Sequence, residues 1–232
     1  MNDARGFWDQ KIRTWDETRY RISGNDSSIL EKLAGRASSS VRFRLEATVE
    51  LLSDHVAGKT ILDLGCGSGR LAEPLLRAAA HRYIGVDFSQ TAIDVARKSS
   101  AEAEIAGKAQ FEVGDAVAYS DPDADIVVSS GLFDWLTTAQ ISTLFAVNKN
   151  KDFLHSFSEK RFDVSQWAHR AYCYLAYGHR TRSYVPRYYS EAEIIALAGK
   201  HGSRFAPTVR HRRLRFGAII SSLPLRLEKL GR

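Results

Sequence analysis

Asp63, Gly65, Gly67 and Gly69 fall within one short run, Ile61-Leu62-Asp63-Leu64-Gly65-Cys66-Gly67-Ser68-Gly69. An apolar stretch there ends on an acidic residue and breaks into alternate glycines, and a helix is predicted from Arg70 to about Ala80. Glycine at every second position removes each Cβ that would hold a ligand away from the backbone and permits positive φ. Strand, glycine turn and helix in that order build a nucleotide site at the carboxyl ends of the strands in open α/β sheets. A second carboxylate, Asp87, closes the strand predicted at Tyr83–Asp87, where it can accept hydrogen bonds from two ribose hydroxyls at once. A third, Asp115, follows the short strand Phe111–Val113 in Gly114-Asp115-Ala116.

The elements that must hold these residues alternate along the chain. An aromatic-rich helical stretch carries Phe7, Trp8, Ile12, Trp15 and Tyr20, and Ser38–Ser40 lead a second helix through Val41 to Val56. Ser89 is a good N-cap for the helix containing Ile93, Val95 and Ala96. A buried strand is predicted at Asp125–Ser129, a helix from about Trp135 to Val147, and a strand at Phe153–Phe157. Strand–helix alternation implies a parallel, doubly wound sheet with right-handed crossovers. Residues 161–189 then form an aromatic insert with Trp167, Tyr172, Tyr174, Tyr177 and Tyr184, and Ser190-Glu191-Ala192-Glu193 is a capping box. Two strand-like runs, Arg204–Arg210 and Arg215–Ser221, close the chain around the basic turn Arg210–Arg215, read as a solvated hairpin turn or as a rim that steers an anion.

The glycine pattern alone leaves two cofactors open, because Gly67-Ser68-Gly69-Arg70-Leu71-Ala72 also satisfies the dinucleotide pattern G-x-G-x-x-A. The wording Asp-Leu-Gly-Cys-Gly-Ser-Gly resembles the first motif of class I S-adenosylmethionine-dependent methyltransferases. Three features favour that family over a nicotinamide enzyme: Asp63 before the first glycine, Gly114-Asp115-Ala116 after the third strand, and no long second half for a separate substrate domain. The resemblance covers roughly residues 40 to 220. It implies a Rossmann-like, seven-stranded, mostly parallel sheet with a final antiparallel strand. Residues 1–57 would form an N-terminal helical lid, and 58–232 the core. S-adenosyl-L-methionine would be the cofactor and S-adenosyl-L-homocysteine the product. Asp63, Gly65, Cys66, Gly67 and Gly69 would hold the methionyl end and Asp87 the ribose, with Phe88 against the adenine face. Asp115 and the backbone amide of Ala116 would read adenine, and Ser130, beside Ser129 at the end of the fourth strand, would lie next to the transferable methyl.

A closer resemblance is carried by Trp-Asp-Glu-Thr-Arg-Tyr before the core, by Phe-Leu-His-Ser-Phe-Ser-Glu-Lys on the fifth strand and by the aromatic insert. These are similar to magnesium-protoporphyrin O-methyltransferases and related small-metabolite O-methyltransferases. In that family a lid tyrosine and a histidine after the fourth strand lie near the reacting carboxylate. Tyr20 matches the first, and Asp134 stands at about the second in place of histidine. Methyl transfer from a sulfonium is an in-line displacement, so holding the reactants in line is the main catalytic contribution. A general base helps only a nucleophile that is protonated at working pH. The candidates are Asp134, Tyr20 and His155, with His169 in the insert; His155 lies among apolar neighbours, where a core role is the plainer reading. Arg42 and Arg44 are candidates to clamp an acidic substrate, with a solvated helix face as the alternative.

Composition narrows the classes. The chain has 232 residues, a net charge of +6 and 44% hydrophobic residues. No apolar run approaches the roughly 20 residues of a membrane span. The N-terminus lacks a secretory apolar core, and two cysteines in unrelated contexts suggest a reducing, cytoplasmic setting with no disulfide framework. Scattered histidines give no metal spacing. The expected reaction is methylation of a small molecule, acidic or aromatic, at oxygen. An RNA or protein methyltransferase and a non-catalytic cofactor-binding partner are the alternatives. No Asn-Pro-Pro-Tyr type motif marks a nucleic-acid amine as acceptor. The sequence leaves the oligomeric state open.

Overall fold

A computed structural model describes residues 12, 29–101, 107–161, 164–174, 185–203 and 208–231. Six strands and six helices are named here in chain order: α1 (Ile29–Leu52), β1 (Thr60–Leu64), α2 (Ala72–Arg77), β2 (Arg82–Asp87), α3 (Gln90–Ser99), β3 (Ala109–Val113), β4 (Ile126–Ser130), α4 (Thr138–Val147), β5 (Asp152–Ser158), α5 (Val164–Cys173), α6 (Glu191–Gly199) and β6 (Gly217–Ser221). Tight 3₁₀ turns lie at Leu132–Trp135, Arg212–Leu214 and Leu227–Leu230.

The strands form one sheet in the order β3-β2-β1-β4-β5-β6. Neighbours run parallel except β5 and β6, which pair antiparallel. Strands covered on both faces read as near-continuous apolar runs, and β1, fully buried along Thr60–Leu64, interrupts its run with one charge, Asp63. One face packs Phe43, Leu51, Leu75, Tyr83 and Ile93 beneath α1, α2 and α3. The other packs Phe133, Ile141, Leu144, Ile194 and Leu197 beneath α4 and α6. From β1 the chain moves outward to β2 and β3, then crosses to β4 on the opposite side. Ligand crevices open at this reversal, outside the carboxyl ends of β1 and β4.

The described sheet has six strands where seven were expected. Arg204–Arg210 shows as one antiparallel bridge, Val209 to Ile219, and residues 204–207 lie outside the described set. Nor is the basic turn a simple solvated hairpin. Arg210 pairs with both Glu159 and Glu191, and Arg213 pairs with Glu46 while its guanidinium lies 4.0 Å over the Phe43 ring. The lid boundary also moves. Phe43, Ala47, Leu51, Leu52 and Val56 are buried in the same layer as β1, so the second half of α1 is a core element. Ser38–Ser40 lie inside this helix, which begins at Ile29. The helix expected from Trp135 starts at Thr138, because Thr137 and Gln140 form a capping box there. Ser190 and Glu193 form the second box as expected.

Candidate functional site

The glycine turn stands at the carboxyl end of β1. Gly65, Gly67 and Gly69 have φ of +73°, +53° and +72°, the left-handed region that glycine enters at little cost. Gly65 and Cys66 donate their N–H groups to the Val86 carbonyl at 2.8 and 3.1 Å, which pins the turn to β2. A Cβ on Gly69 would stand 2.7 Å from Phe111 Cε1 and 3.0 Å from Ala96 Cβ, so this position has no room for a side chain. A Cβ on Gly67 would meet Ile12 Cδ1 at 3.8 Å. Ile12 is buried, and its side chain therefore reaches the turn from the N-terminal segment.

Two carboxylates flank the turn. Asp87 accepts the Gly67 N–H at 3.0 Å through Oδ2 and the Ser89 N–H at 2.9 Å through Oδ1, while Ser89 caps α3. Asp87 is thereby tied to the glycine turn. Asp63 is 2% exposed. Tyr83 donates its hydroxyl to Oδ2, and Oδ1 is buried with no hydrogen-bond partner in the structure. Burial pushes the Asp63 carboxyl up to about 7, the Tyr83 bond opposes that rise, and Asp87 adds to it. Burial, with Asp63 and Asp87 nearby, also raises the Cys66 thiol well above its usual range, so it is no thiolate nucleophile. Gly85 makes room for this sulfur, since a Cβ there would stand 2.9 Å from Cys66 Sγ. Neither Tyr83 nor Gly85 was expected from sequence. A tyrosine and a glycine within an otherwise aliphatic, buried strand were the available signal.

The residues expected to read adenine lie past β3. Asp115 is exposed and accepts the Val117 N–H at 3.0 Å through Oδ1, which closes a short turn. Ala116 is buried, and Phe88 is half-buried directly after Asp87. Tyr119 donates to Glu112 at 2.6 Å, and its phenol is pushed up to about 12, chiefly by burial and then by that carboxylate.

On the acceptor side, Ser130 ends β4 half-buried beside Gly131 (φ +85°). The structure corrects two of the proposed bases. His155 is 1% exposed, stacked between Phe133 and Phe153 with ring centroids 4.7 and 5.3 Å away. Its Nδ1 bonds Ser129 Oγ at 2.9 Å, and burial lowers the imidazole to about 3. It is a neutral core histidine that no substrate can reach. Asp134 is also buried: it receives Arg44 Nη1 at 2.9 Å, the Ser158 N–H at 2.5 Å and Ser158 Oγ at 3.0 Å. A carboxylate so engaged is not poised to take a proton from an acceptor. The same pairing removes Arg44 from the candidate substrate clamps. Tyr20 lies outside the described residues, as do Tyr177 and Tyr184. Within α5, Trp167 is exposed, and Gln166 anchors the helix to β5 by donating to the Glu159 carbonyl at 2.7 Å.

Residues 61–149 match the family model described as a methyltransferase domain. A probable 18S rRNA (guanine-N(7))-methyltransferase of Dictyostelium discoideum is 29% identical over 153 residues, covering 65% of this chain and 47% of that protein. A ubiquinone biosynthesis O-methyltransferase of Paraburkholderia phytofirmans is 38% identical over 68 residues, 29% of each protein. The chain thus spans about half or less of these relatives. Magnesium protoporphyrin IX methyltransferase from Synechocystis PCC 6803, solved with bound SAH, superposes with a TM-score of 0.73 over 95% of this chain and 97% of that one. At 21% identity this likeness shows the fold. The sheet order, the glycine turn and the carboxylates at the carboxyl ends of β1 and β2 are those of the fold found in class I S-adenosylmethionine-dependent methyltransferases, and residues 61–149 match the methyltransferase-domain model. Within that class, the whole described fold is similar to that of the magnesium-protoporphyrin enzyme. S-adenosylmethionine is the cofactor of the class, and the residues fit it. A turn with glycine at every second position faces a carboxylate that already orders it, and a buried carboxylate oxygen stands unpaired nearby.

Proposed function

We propose that this protein transfers a methyl group from S-adenosylmethionine to an oxygen of a small-molecule acceptor. The observation that carries the reading is the pairing of Asp87 with the Gly67 amide in a turn with glycine at every second position. When bound, the cofactor supplies a methyl on a sulfonium with a neutral leaving group. Asp87 would hold the ribose hydroxyls, Asp63 the ammonium of the methionyl end, and Asp115 with the Ala116 amide the adenine, with Phe88 against its face. Gly65, Cys66, Gly67 and Gly69 would let the backbone approach closely, and Ser130 would border the methyl.

With His155 enclosed and Asp134 engaged, neither can act as base, so the reading favours an acceptor oxygen that arrives already ionised, such as a carboxylate. Tyr20, in the lid we propose for residues before α1, would then orient the acceptor. Ile12 against Gly67 supports a lid over the turn, and such a lid would exclude water. The local identity to a ubiquinone biosynthesis O-methyltransferase supports oxygen as the acceptor atom. No described helix is long and apolar enough to cross a membrane, and we place the protein in the cytoplasm.

Calorimetric titration with S-adenosylhomocysteine tests the cofactor half, with NAD and Asp87→Ala as controls. Micromolar binding of the first alone, weakened in the variant, supports it; silence from the unmodified protein removes it. Labelled-methyl transfer into metabolite pools then tests the acceptor. An RNA acceptor is the second reading, motivated by the rRNA methyltransferase relative and the net charge of +6. Arg210 is already paired with the buried Glu159, and Arg213 with the exposed Glu46, which weakens the basic turn as a phosphate rim. Salt-dependent RNA affinity that falls with Arg212→Ala and Arg215→Ala would favour it.

A further inference from the structure

We propose that Arg44, acting through Asp134, is a positioning residue that shapes the cofactor turn from the acceptor side. The proposal rests on the methyltransferase reading and goes beyond its binding residues. Arg44 leaves α1 and passes between two glycines. A Cβ on Gly131 would stand 3.2 Å from its Nη1, and a Cβ on Gly217 would stand 3.2 Å from its Nη2. Side chains at either position would close this passage. At its end Nη1 donates to Asp134 Oδ2 at 2.9 Å, and both side chains are nearly buried, 11% and 12% exposed. The Arg44 Nε is buried with no partner.

An ion pair withdrawn from water adds little net stability, because desolvation opposes the attraction. What this one supplies is placement. Asp134 belongs to the tight turn Leu132–Trp135, which also receives the Arg187 N–H on the Asp134 carbonyl at 2.6 Å. The preceding Gly131 donates its N–H to Ser156 Oγ at 2.9 Å. Those anchors come from β5 and the last residues of the insert; Arg44 ties the same turn to α1. Leu132 in that turn presses on the cofactor site: a Cβ on Gly65 would meet its Cδ1 at 3.0 Å and its Cβ at 3.3 Å. Gly65 is in turn bonded to the Val86 carbonyl. A continuous set of contacts therefore runs from Arg44 through Asp134 and Leu132 to the first glycine of the site.

The test uses the full chain and S-adenosylhomocysteine as probe, reading the dissociation constant by calorimetry and the unliganded melting temperature by circular dichroism. The variants are Arg44→Met, Asp134→Asn, the apolar pair Arg44→Met/Asp134→Leu, and Leu132→Ala with the ion pair intact. The single charge removals are expected to melt earlier and bind about tenfold more weakly. The apolar pair is expected to recover melting temperature while staying about tenfold weak, a split that a purely structural role would not produce. Leu132→Ala is expected to weaken binding about as much, and it keeps the test decisive if a charge variant does not fold. Affinity within about twofold of the unmodified protein in Leu132→Ala, or affinity that returns with stability in the apolar pair, overturns the proposal. Failure of the unmodified protein to bind would instead overturn the methyltransferase reading, and this proposal with it.

Discussion

Tyr83 donates its hydroxyl to one oxygen of Asp63 from the neighbouring strand, and the other oxygen of that carboxylate stays buried and unpaired. The register explains the meeting. Ile61 stands opposite Tyr83 and Asp63 opposite Gly85, so Asp63 and Tyr83 share one face of the sheet. Gly85 leaves open the space beside Asp63 that another side chain would take.

With Asp63 holding the methionyl ammonium as proposed, this arrangement should make cofactor binding pH-dependent. The folded Asp63 titrates near 7, above its unfolded value of 3.8, so the unliganded fold retains a proton through the acidic range. Its stabilising effect is therefore complete below about pH 4 and is lost as pH rises through 7. Pairing with a cationic ammonium needs the ionised form, so S-adenosylhomocysteine affinity should rise from pH 5 to 7, by up to about tenfold per unit, and level off above. Tyr83→Phe removes a bond that favours ionisation and should move the midpoint upward; Asp63→Asn should flatten the profile. Calorimetry across this range checks both, and a flat profile in the unmodified protein rejects the assignment.

Asp87 carries two backbone N–H bonds and would also carry the ribose. Loss of charged hydrogen bonds costs about 1.5–3 kcal/mol each, so Asp87→Ala should weaken S-adenosylhomocysteine binding by at least about tenfold. Asp87→Asn keeps the shape and should fall between the two. Wild-type affinity in Asp87→Ala would remove this residue from the site.

His155 gives the opposite pH signature. Its folded value near 3 lies below the unfolded 6.5, so its contribution is fully present above about pH 6.5 and is lost as pH falls toward 3. Denaturant melts should show stability falling by about 1.4 kcal/mol per unit from this group in that window. His155→Phe should reduce the acid sensitivity and leave S-adenosylhomocysteine affinity at neutral pH unchanged. A large loss of affinity in a folded variant would return His155 to the site.

Gly69→Ala tests the turn itself. An alanine there must adopt φ near +72° and place its Cβ 2.7 Å from the Phe111 ring. Left-handed strain of about 1–2 kcal/mol and a comparable steric cost should lower the melting temperature by several degrees and weaken cofactor binding. Gly107→Ala, also at positive φ but with nothing within 4 Å, isolates the backbone part. Equal effects at the two positions would show that the Phe111 contact is unimportant.

Local patterning and a chemically constrained motif were enough to read the strand order of motifs, the glycine turn and its two carboxylates. Alternate glycines after a buried strand serve few purposes, and the Ser190–Glu193 capping box is complete within four residues. Residue types far apart in the chain were not legible in this way. Arg44 and Asp134 are ninety positions apart, and two glycines, 131 and 217, open the passage between them. Nothing in either local segment shows that their charges cancel, so Asp134 reads as a candidate base and Arg44 as a substrate clamp or a solvated helix residue. His155 reads both as a candidate base and, more plainly, as a core residue; Phe133 and Phe153, from separate elements, close over its ring. By itself the sequence determined the cofactor turn, because backbone conformation and strand ends are set by neighbours along the chain. Tertiary structure alone decided which charged groups remain free for chemistry, because desolvation and pairing depend on whatever the fold brings alongside.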